Sequence, residues 1–435
     1  MPETESFQPT GPVHGIVRPP GSKSLTNRAL ICAALADGRT ELQGVLDSED
    51  TRVMADCLQK LGVEIEPDWQ NHRLIVQGVP SGPPCAEADL FVENSGTSMR
   101  FLVPYVSLGK GTYSLDGIAR MRERPIKDLL DALTQTGVEA TSLHENGCPP
   151  VQIETSGIQG GKIHLRGDIS SQYLSGLLMV APYAQQPLDI ELEGGLVSIP
   201  YVEMTCAVME AFGTSPSFQT DDSGVPLSYQ IPTSYYQART YEIEPDASAA
   251  SYFFAASAIT QGSVTVTGLS KTSLQGDVEF VAALQQMGCE VTWEADRISV
   301  EGRKLHGIEI DMNDISDTVM TLAVVALFAE GPTKITGVGH IRHKETDRIS
   351  AVVNEIQKLG GQAEGFEDGL IIHPTKLHGA EIHTYNDHRM AMSFALAGLR
   401  VPGVIILDPG CTVKTYPNYF EEMRDFLSGS ATISP

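Results

Sequence analysis

A lysine and an arginine stand about one and a half helical turns apart in Pro20-Gly21-Ser22-Lys23-Ser24-Leu25-Thr26-Asn27-Arg28, directly ahead of the apolar run ALICAALA. Cations at a helix start, beside its unpaired backbone N–H groups, suit a small anion. The segment is not a nucleotide loop, because a Walker sequence needs Gly-Lys-Ser/Thr in succession and Ser22 separates Gly21 from Lys23. The arrangement recurs: polar heads precede apolar, small-residue runs from Ser22, Asn94, Ile169, Asp246, Ile315 and Asn386. Ser, Asn and Asp there are ordinary caps. Beyond capping, the heads carry Lys23, Arg28, Arg100, Gln172, His388 and Arg389. A single head of this kind reads best as a core helix with a plain cap; six such heads, four of them with surplus polar groups, favour anion binding.

The elements that must position these groups repeat. A helix apolar on every side is buried, and each buried run alternates with an amphipathic one that ends in glycine. The endings are Gly62, Gly137, Gly213, Gly288, Gly360 and Gly429, at intervals of about 75 residues, shortening to about 70. Such spacing means internal duplication. Each repeat reads as a buried helix, a strand, an amphipathic helix and a hairpin, as in ITQGSVTVTGL before the fourth amphipathic helix and CEVTWEADRISVEG after it. The sixth copy stops soon after Gly429 with no hairpin, and VHGIVRPP near the N-terminus has no partner of its own. The N-terminal strand is therefore expected to complete the last repeat. That puts 1–21 and 242–435 in one domain and 22–241 in another, inserted through PPGSK and YYQARTYEIEPDAS. Two crossings make a hinge. Helix heads pointing into the crevice between the domains would bring together six dipoles of about half a charge each.

At 435 residues the chain exceeds one core. Its 30 Lys and Arg against 55 Asp and Glu, a net charge of −25, argue against nucleic acid and acidic membranes as partners. A bound anion must be held by a local basic cluster. The seven cysteines are scattered and form no Cys-x-x-Cys, a pattern of reduced thiols rather than of a disulfide or zinc framework. MPETESFQPTGP is unlike a signal peptide, and the longest apolar run, Leu322 to Ala329, is too short to span a bilayer. A cytoplasmic location is expected.

Eight blocks occur in order: PGSKSLTNRAL, NSGTSMR, RMRERPI, ISSQYLSGLLMVAP, LVSIPY, HIRHKETDR, YNDHRMAM and DPGCTVKTYPNYF. Together they resemble the 5-enolpyruvylshikimate-3-phosphate synthase family over essentially the whole chain. The resemblance implies an α/β chain with the two-domain, inverse α/β barrel-like enolpyruvyl transferase fold, six βαβαββ repeats, three per domain. It implies transfer of the enolpyruvyl group of phosphoenolpyruvate to the 5-hydroxyl of shikimate 3-phosphate, with release of phosphate, in the shikimate pathway, by a monomer with no cofactor and no metal. Carried over position by position, the shikimate 3-phosphate contacts are Lys23, Ser24, Arg28, Ser170, Ser171, Gln172, Ser198, Tyr201, His340 and Lys344, with Asp317 at the reacting hydroxyl. The phosphoenolpyruvate contacts are Lys23, Gly96, Arg124, Gln172, Arg348, Arg389 and Lys414. Guanidinium groups hold carboxylate and phosphate oxygens two at a time, and Gly96 allows a close approach that a β-carbon would block. The family pattern makes Asp317 the base toward the hydroxyl and Glu345 the acid toward carbon, assisted by Lys23; heading a buried helix, Asp317 would be kept ionised by the dipole.

Three departures stand out. His340 replaces the Asn of many relatives; Ser95, Ser98 and Phe101 replace Ala, Ala and Pro, which bears on sensitivity to glyphosate; Ile199 lies where some bacterial relatives have Lys. The sister enzymes that use UDP-N-acetylglucosamine carry a reactive Cys in a mobile loop, whereas this chain has no Cys between Cys85 and Cys148. A non-catalytic protein that clamps a phosphorylated metabolite would gain nothing from Asp317 and Glu345. His340, His343, His373, His378 and His383 share no helix face with a carboxylate or Cys at ligand spacing, and are expected to be surface or capping residues.

Overall fold

In the computed structural model, which describes residues 3–429, the chain divides into two compact units. One is Ser22–Ile243 and the other joins Met1–Gly21 to Glu244–Pro435; residues 1–2 and 430–435 of the expected terminal domain lie outside the described residues.

The inserted unit holds α1 (Lys23–Leu35), α2 (Glu49–Lys60), α3 (Gly96–Val106), α4 (Lys127–Thr134), α5 (Ser171–Val180) and α6 (Ile199–Ala211). Three four-stranded sheets accompany them, built by one rule: an edge strand pairs parallel with the strand after the buried helix, which pairs antiparallel with the second strand of a hairpin. Two of them run Glu87–Phe91, Gly111–Asp116, Val151–Thr155, Glu139–Ser142 and Gly161–Arg166, Leu188–Glu193, Pro226–Ile231, Ser217–Thr220. The remaining sheet, Arg39–Gln43, Arg73–Gln77 and Glu64–Asp68, takes its edge strand from the far end of the unit, Thr240–Glu242, with Thr240 opposite Glu41.

The terminal unit holds α7 (Ala247–Thr260), α8 (Phe280–Gln286), α9 (Val319–Ala326), α10 (Arg348–Lys358), α11 (His388–Ala395) and α12 (Tyr419–Leu427). Its second sheet, Glu309–Asp311, Thr333–Thr336, Gly369–His373 and Gln362–Phe366, follows the same rule. The expectation that HGIV completes the last repeat is corrected here. His14–Val17 pairs parallel with Ser263–Thr267 in the fourth repeat, Val264 opposite Gly15, while Thr4–Glu5 supplies the last repeat's strand against Ile405–Leu407. The two strands beside the crossings have exchanged sheets: the one before α1 stays with α7's repeat, and the one before α7 closes α1's. For that reason the boundary follows Ile243 rather than Tyr241.

Small residues let the repeat helices sink into these cores. All of α7, from Ala247 to Thr260, is buried, and each Phe or Ile so enclosed contributes about 1.5–3 kcal/mol. The amphipathic helices end as their glycines require: Gly62 adopts φ 95°, and Val63 N returns to Leu58 O at 3.0 Å. Ser22, Ser95, Ser170, Asp246 and Asp387 cap α1, α3, α5, α7 and α11 through their side chains. α9 departs from the pattern. A 3-10 turn, Asn313–Thr318, precedes it, and Thr318 makes no side-chain cap. Asp317, expected to head this helix, sits in that turn and serves another purpose.

Candidate active site

In the terminal unit the residues expected to do chemistry form one ion-paired cluster. The buried Arg348 guanidinium opens α10. Its Nε donates to Asp387 Oδ2 at 2.8 Å, Nη1 to Asp317 Oδ1 at 3.1 Å, and Nη2 to Glu345 Oε2 at 2.9 Å and Asp387 Oδ1 at 3.3 Å. Burial alone would weaken its hold on the proton, but Asp387, Glu345 and Asp317 more than offset that, so it is held above the ordinary arginine range. Arg389 Nη2 donates to Asp317 Oδ2 at 2.7 Å, and Lys414 Nζ lies 3.9 Å from Glu345 Oε1. Both oxygens of Asp317 thus meet guanidinium. Asp347, the sequence neighbour, pairs instead with Arg342 at 2.8 Å and caps α10.

Two further titratable groups belong to this cluster. His340, 9% exposed, is depressed to about 3 by burial and then by Lys344, so its imidazole is neutral near pH 7. It is thus no surface residue, whereas His343, His378 and His383 are exposed. Asp277, buried in the turn Gly276–Glu279, accepts from Ser248 Oγ; burial first, and then Asp317, raise it to about 6.

The inserted unit assembles a second set. Lys23 Nζ lies 3.5 Å from the buried Asp50 carboxylate, and Asp50 O accepts from Ser98 Oγ at 3.5 Å. Arg124 follows the 3-10 turn Met121–Glu123 and turns inward, Nη1 donating to Asn94 O at 2.9 Å and Oδ1 at 3.3 Å. Gly96 makes this possible, since a β-carbon there would overlap Arg124 Nη2 and sit 2.9 Å from Arg100 Nη1. Gln172, on α5, donates to Thr97 Oγ1 on α3 at 3.2 Å. Ser170 caps α5 and Ser171 opens it; Ser198 holds a left-handed φ of 55° where α6 begins. Arg28 is a bracket: Nε reaches Thr205 at 2.7 Å, Nη1 Ser24 O at 3.1 Å and Nη2 Tyr201 O at 2.9 Å, joining α1 to α6.

The chain-specific substitutions have physical roles here. Ser95 Oγ lies 2.8 Å from Ser98 Oγ and caps α3, and the Arg28 guanidinium stands 5.2 Å from the Phe101 ring centroid.

A family model described as EPSP synthase (3-phosphoshikimate 1-carboxyvinyltransferase) matches residues 7–423. The chain belongs to the EPSP synthase family. It is 50% identical to the 3-phosphoshikimate 1-carboxyvinyltransferase of Nostoc punctiforme, over 96% of this chain and 97% of that one. The chloroplastic enzyme 1 of the same name from Nicotiana tabacum is 45% identical, over 97% of this chain and 84% of its own. An EPSP synthase structure from Acinetobacter baumannii superposes with a TM-score of 0.80 at 26% identity, covering 98% of both chains. The α/β enolpyruvyl transferase fold that the resemblance implied is that of these relatives.

Among the family's expected site residues, Asp317, Glu345, Arg348, Arg389 and Lys414 come together directly. Gly96, Arg124 and Gln172 are joined through α3, and Ser24, Arg28 and Tyr201 through the Arg28 bracket. Sequence reasoning missed Asp387, Asp277, Asp50, Asn94 and Thr97. Asp387 and Asn94 had a signal, since both stand at polar heads; Asp277 and Asp50 had none, being recruited by tertiary neighbours.

Proposed function

We propose that this EPSP synthase family member transfers the enolpyruvyl group of phosphoenolpyruvate to the 5-hydroxyl of shikimate 3-phosphate, releasing phosphate, as a step of the shikimate pathway. One observation carries the reading: Asp317 and Glu345 share the Arg348 guanidinium, with Arg389 and Lys414 beside them. A protein that only bound a polyanion would be weakened by those carboxylates, whereas proton transfer needs them. The hydroxyl oxygen adds to the phosphate-bearing carbon while the methylene carbon takes a proton; the new methyl then loses a proton and phosphate leaves, restoring the vinyl group. Asp317 accepts the hydroxyl proton, which ends on the released phosphate. Glu345 gives the carbon its proton and takes one back, with Lys23 assisting. Arg124, Arg348, Arg389, Lys414, Gln172 and the Gly96 backbone hold phosphoenolpyruvate. Shikimate 3-phosphate is held by Lys23, Ser24, Arg28, Ser170, Ser171, Gln172, Ser198, Tyr201, His340 and Lys344. The chain works as a cytoplasmic monomer, and none of these steps calls for a cofactor or metal.

The test is Asp317→Asn and Glu345→Gln. Each is expected to lose about 10²-fold or more in turnover while shikimate 3-phosphate binding is largely kept. Solvent deuterium enters the methylene of phosphoenolpyruvate during wild-type turnover and much more slowly in Glu345→Gln; exchange at the wild-type rate would remove Glu345 as proton donor.

A further inference from the structure

Arg124 lies on no helix. It ends a short turn whose Arg122 and Glu123 are exposed, yet its own side chain is buried against Asn94 and the Gly96 backbone. A guanidinium that must meet a small ligand needs its backbone held from behind, and the residue behind it is Pro125, which has no N–H and offers only a carbonyl. That carbonyl takes two donors. Arg100 Nη2, from α3, reaches it at 2.9 Å, and Tyr173 Oη, from α5, at 2.6 Å. Arg100 is itself turned back onto its own helix, Nη1 to Gly96 O at 3.2 Å, and lies 6.0 Å from the Tyr173 ring centroid. Burial pushes the Tyr173 phenol above its ordinary value, so it remains a donor throughout the working range. The two helices pack closely here: a β-carbon at Gly176 of α5 would run into the Arg100 carbonyl.

One acceptor therefore joins three elements: the loop that carries Arg124, the helix that begins with Gly96 and the helix that carries Gln172. We propose that the Pro125 carbonyl, gripped by Arg100 and Tyr173, is the positioning device that sets Arg124 in register with Gly96 and Gln172. The inference rests on the reading of those three as phosphoenolpyruvate contacts. Arg100 and Tyr173 are positioning residues: they act on the ligand only through Arg124. Removing either donor frees the loop to shift against α3, loosening the grip of Arg124 on phosphoenolpyruvate, while the shikimate 3-phosphate contacts of α1, α5 and α6 keep their places.

The test is steady-state kinetics on the full chain with Tyr173→Phe, which deletes one hydroxyl and keeps the ring, and with Arg100→Lys, which keeps the charge and loses the fork. Each is expected to raise KM for phosphoenolpyruvate about three- to tenfold, the scale of one lost hydrogen bond. The shikimate 3-phosphate dissociation constant and kcat stay within about twofold of wild type, below the scale of one hydrogen bond. A purely structural role would instead lower the melting temperature and weaken both substrates together. That pattern, or an unchanged phosphoenolpyruvate KM in both variants, overturns the proposal while leaving the functional reading intact. A wild-type chain that turned over neither substrate would sink the functional reading and this inference with it.

Discussion

Arg348 is the residue on which the terminal unit's charges balance, because three carboxylates face its single guanidinium in a buried setting. Truncating it leaves Asp317, Glu345 and Asp387 without their central cation. Arg348→Ala is accordingly expected to cost on the order of 3–5 kcal/mol of stability, besides abolishing turnover; calorimetry beside kinetics checks this, and an unchanged melting temperature would refute it. Arg124 differs, since it donates to the backbone and side-chain carbonyl oxygens of Asn94. Arg124→Ala should keep most of its stability and lose on the order of 2–5 kcal/mol of transition-state binding, read from kcat/KM. His340 gives a pH signature. Its folded pKa, about 3, lies below the unfolded value of about 6.5, so the unfolded chain binds the extra proton between those limits and stability falls as pH drops through that window. Wild type should therefore lose stability more steeply than His340→Asn between pH 6.5 and 3, by at most about 1.4 kcal/mol per pH unit. Equal slopes would show that the imidazole is not held neutral. Apart from Glu345, three positions before Arg348, these charge partners are not legible locally: Asp317 and Arg389 are 72 positions apart, Arg348 and Asp387 39.

At the scale of elements, the helix heads and their glycine endings were readable, because caps and C-terminal glycines are local chemistry. The start of α9 was not. An aspartate ahead of an apolar run looks like a cap in any sequence, whereas here Asp317 sits in a 3-10 turn and meets the guanidiniums of Arg348 and Arg389. α3 offers a direct test of close approach. Alanine suits a helix better than glycine by about 0.5–1 kcal/mol, yet at Gly96 the added methyl meets Arg124 and Arg100. Gly96→Ala should therefore raise KM for phosphoenolpyruvate, with shikimate 3-phosphate affinity kept. An unaltered KM would show that Arg124 yields freely and that the glycine serves no purpose in binding.

For the whole molecule, duplication was legible as a period, but the assignment of strands at the crossings was not, since HGIV and TYE carry equivalent strand patterns and each fits either sheet. Pairing decided it: Thr240–Glu242 closes the inserted unit on Arg39–Gln43, and His14–Val17 remains with the terminal one. A fragment spanning 22–243 should consequently unfold cooperatively in circular dichroism, and one ending at 239 should melt lower or not fold, its sheet having lost an edge. Equal melting of the two would undo the strand assignment. The central claim is that this EPSP synthase family member transfers the enolpyruvyl group of phosphoenolpyruvate to shikimate 3-phosphate. Its most direct test is phosphate release from phosphoenolpyruvate with shikimate 3-phosphate, run beside the same assay with UDP-N-acetylglucosamine. Release with the first and background with the second is the predicted result; release with UDP-N-acetylglucosamine alone would contradict the account.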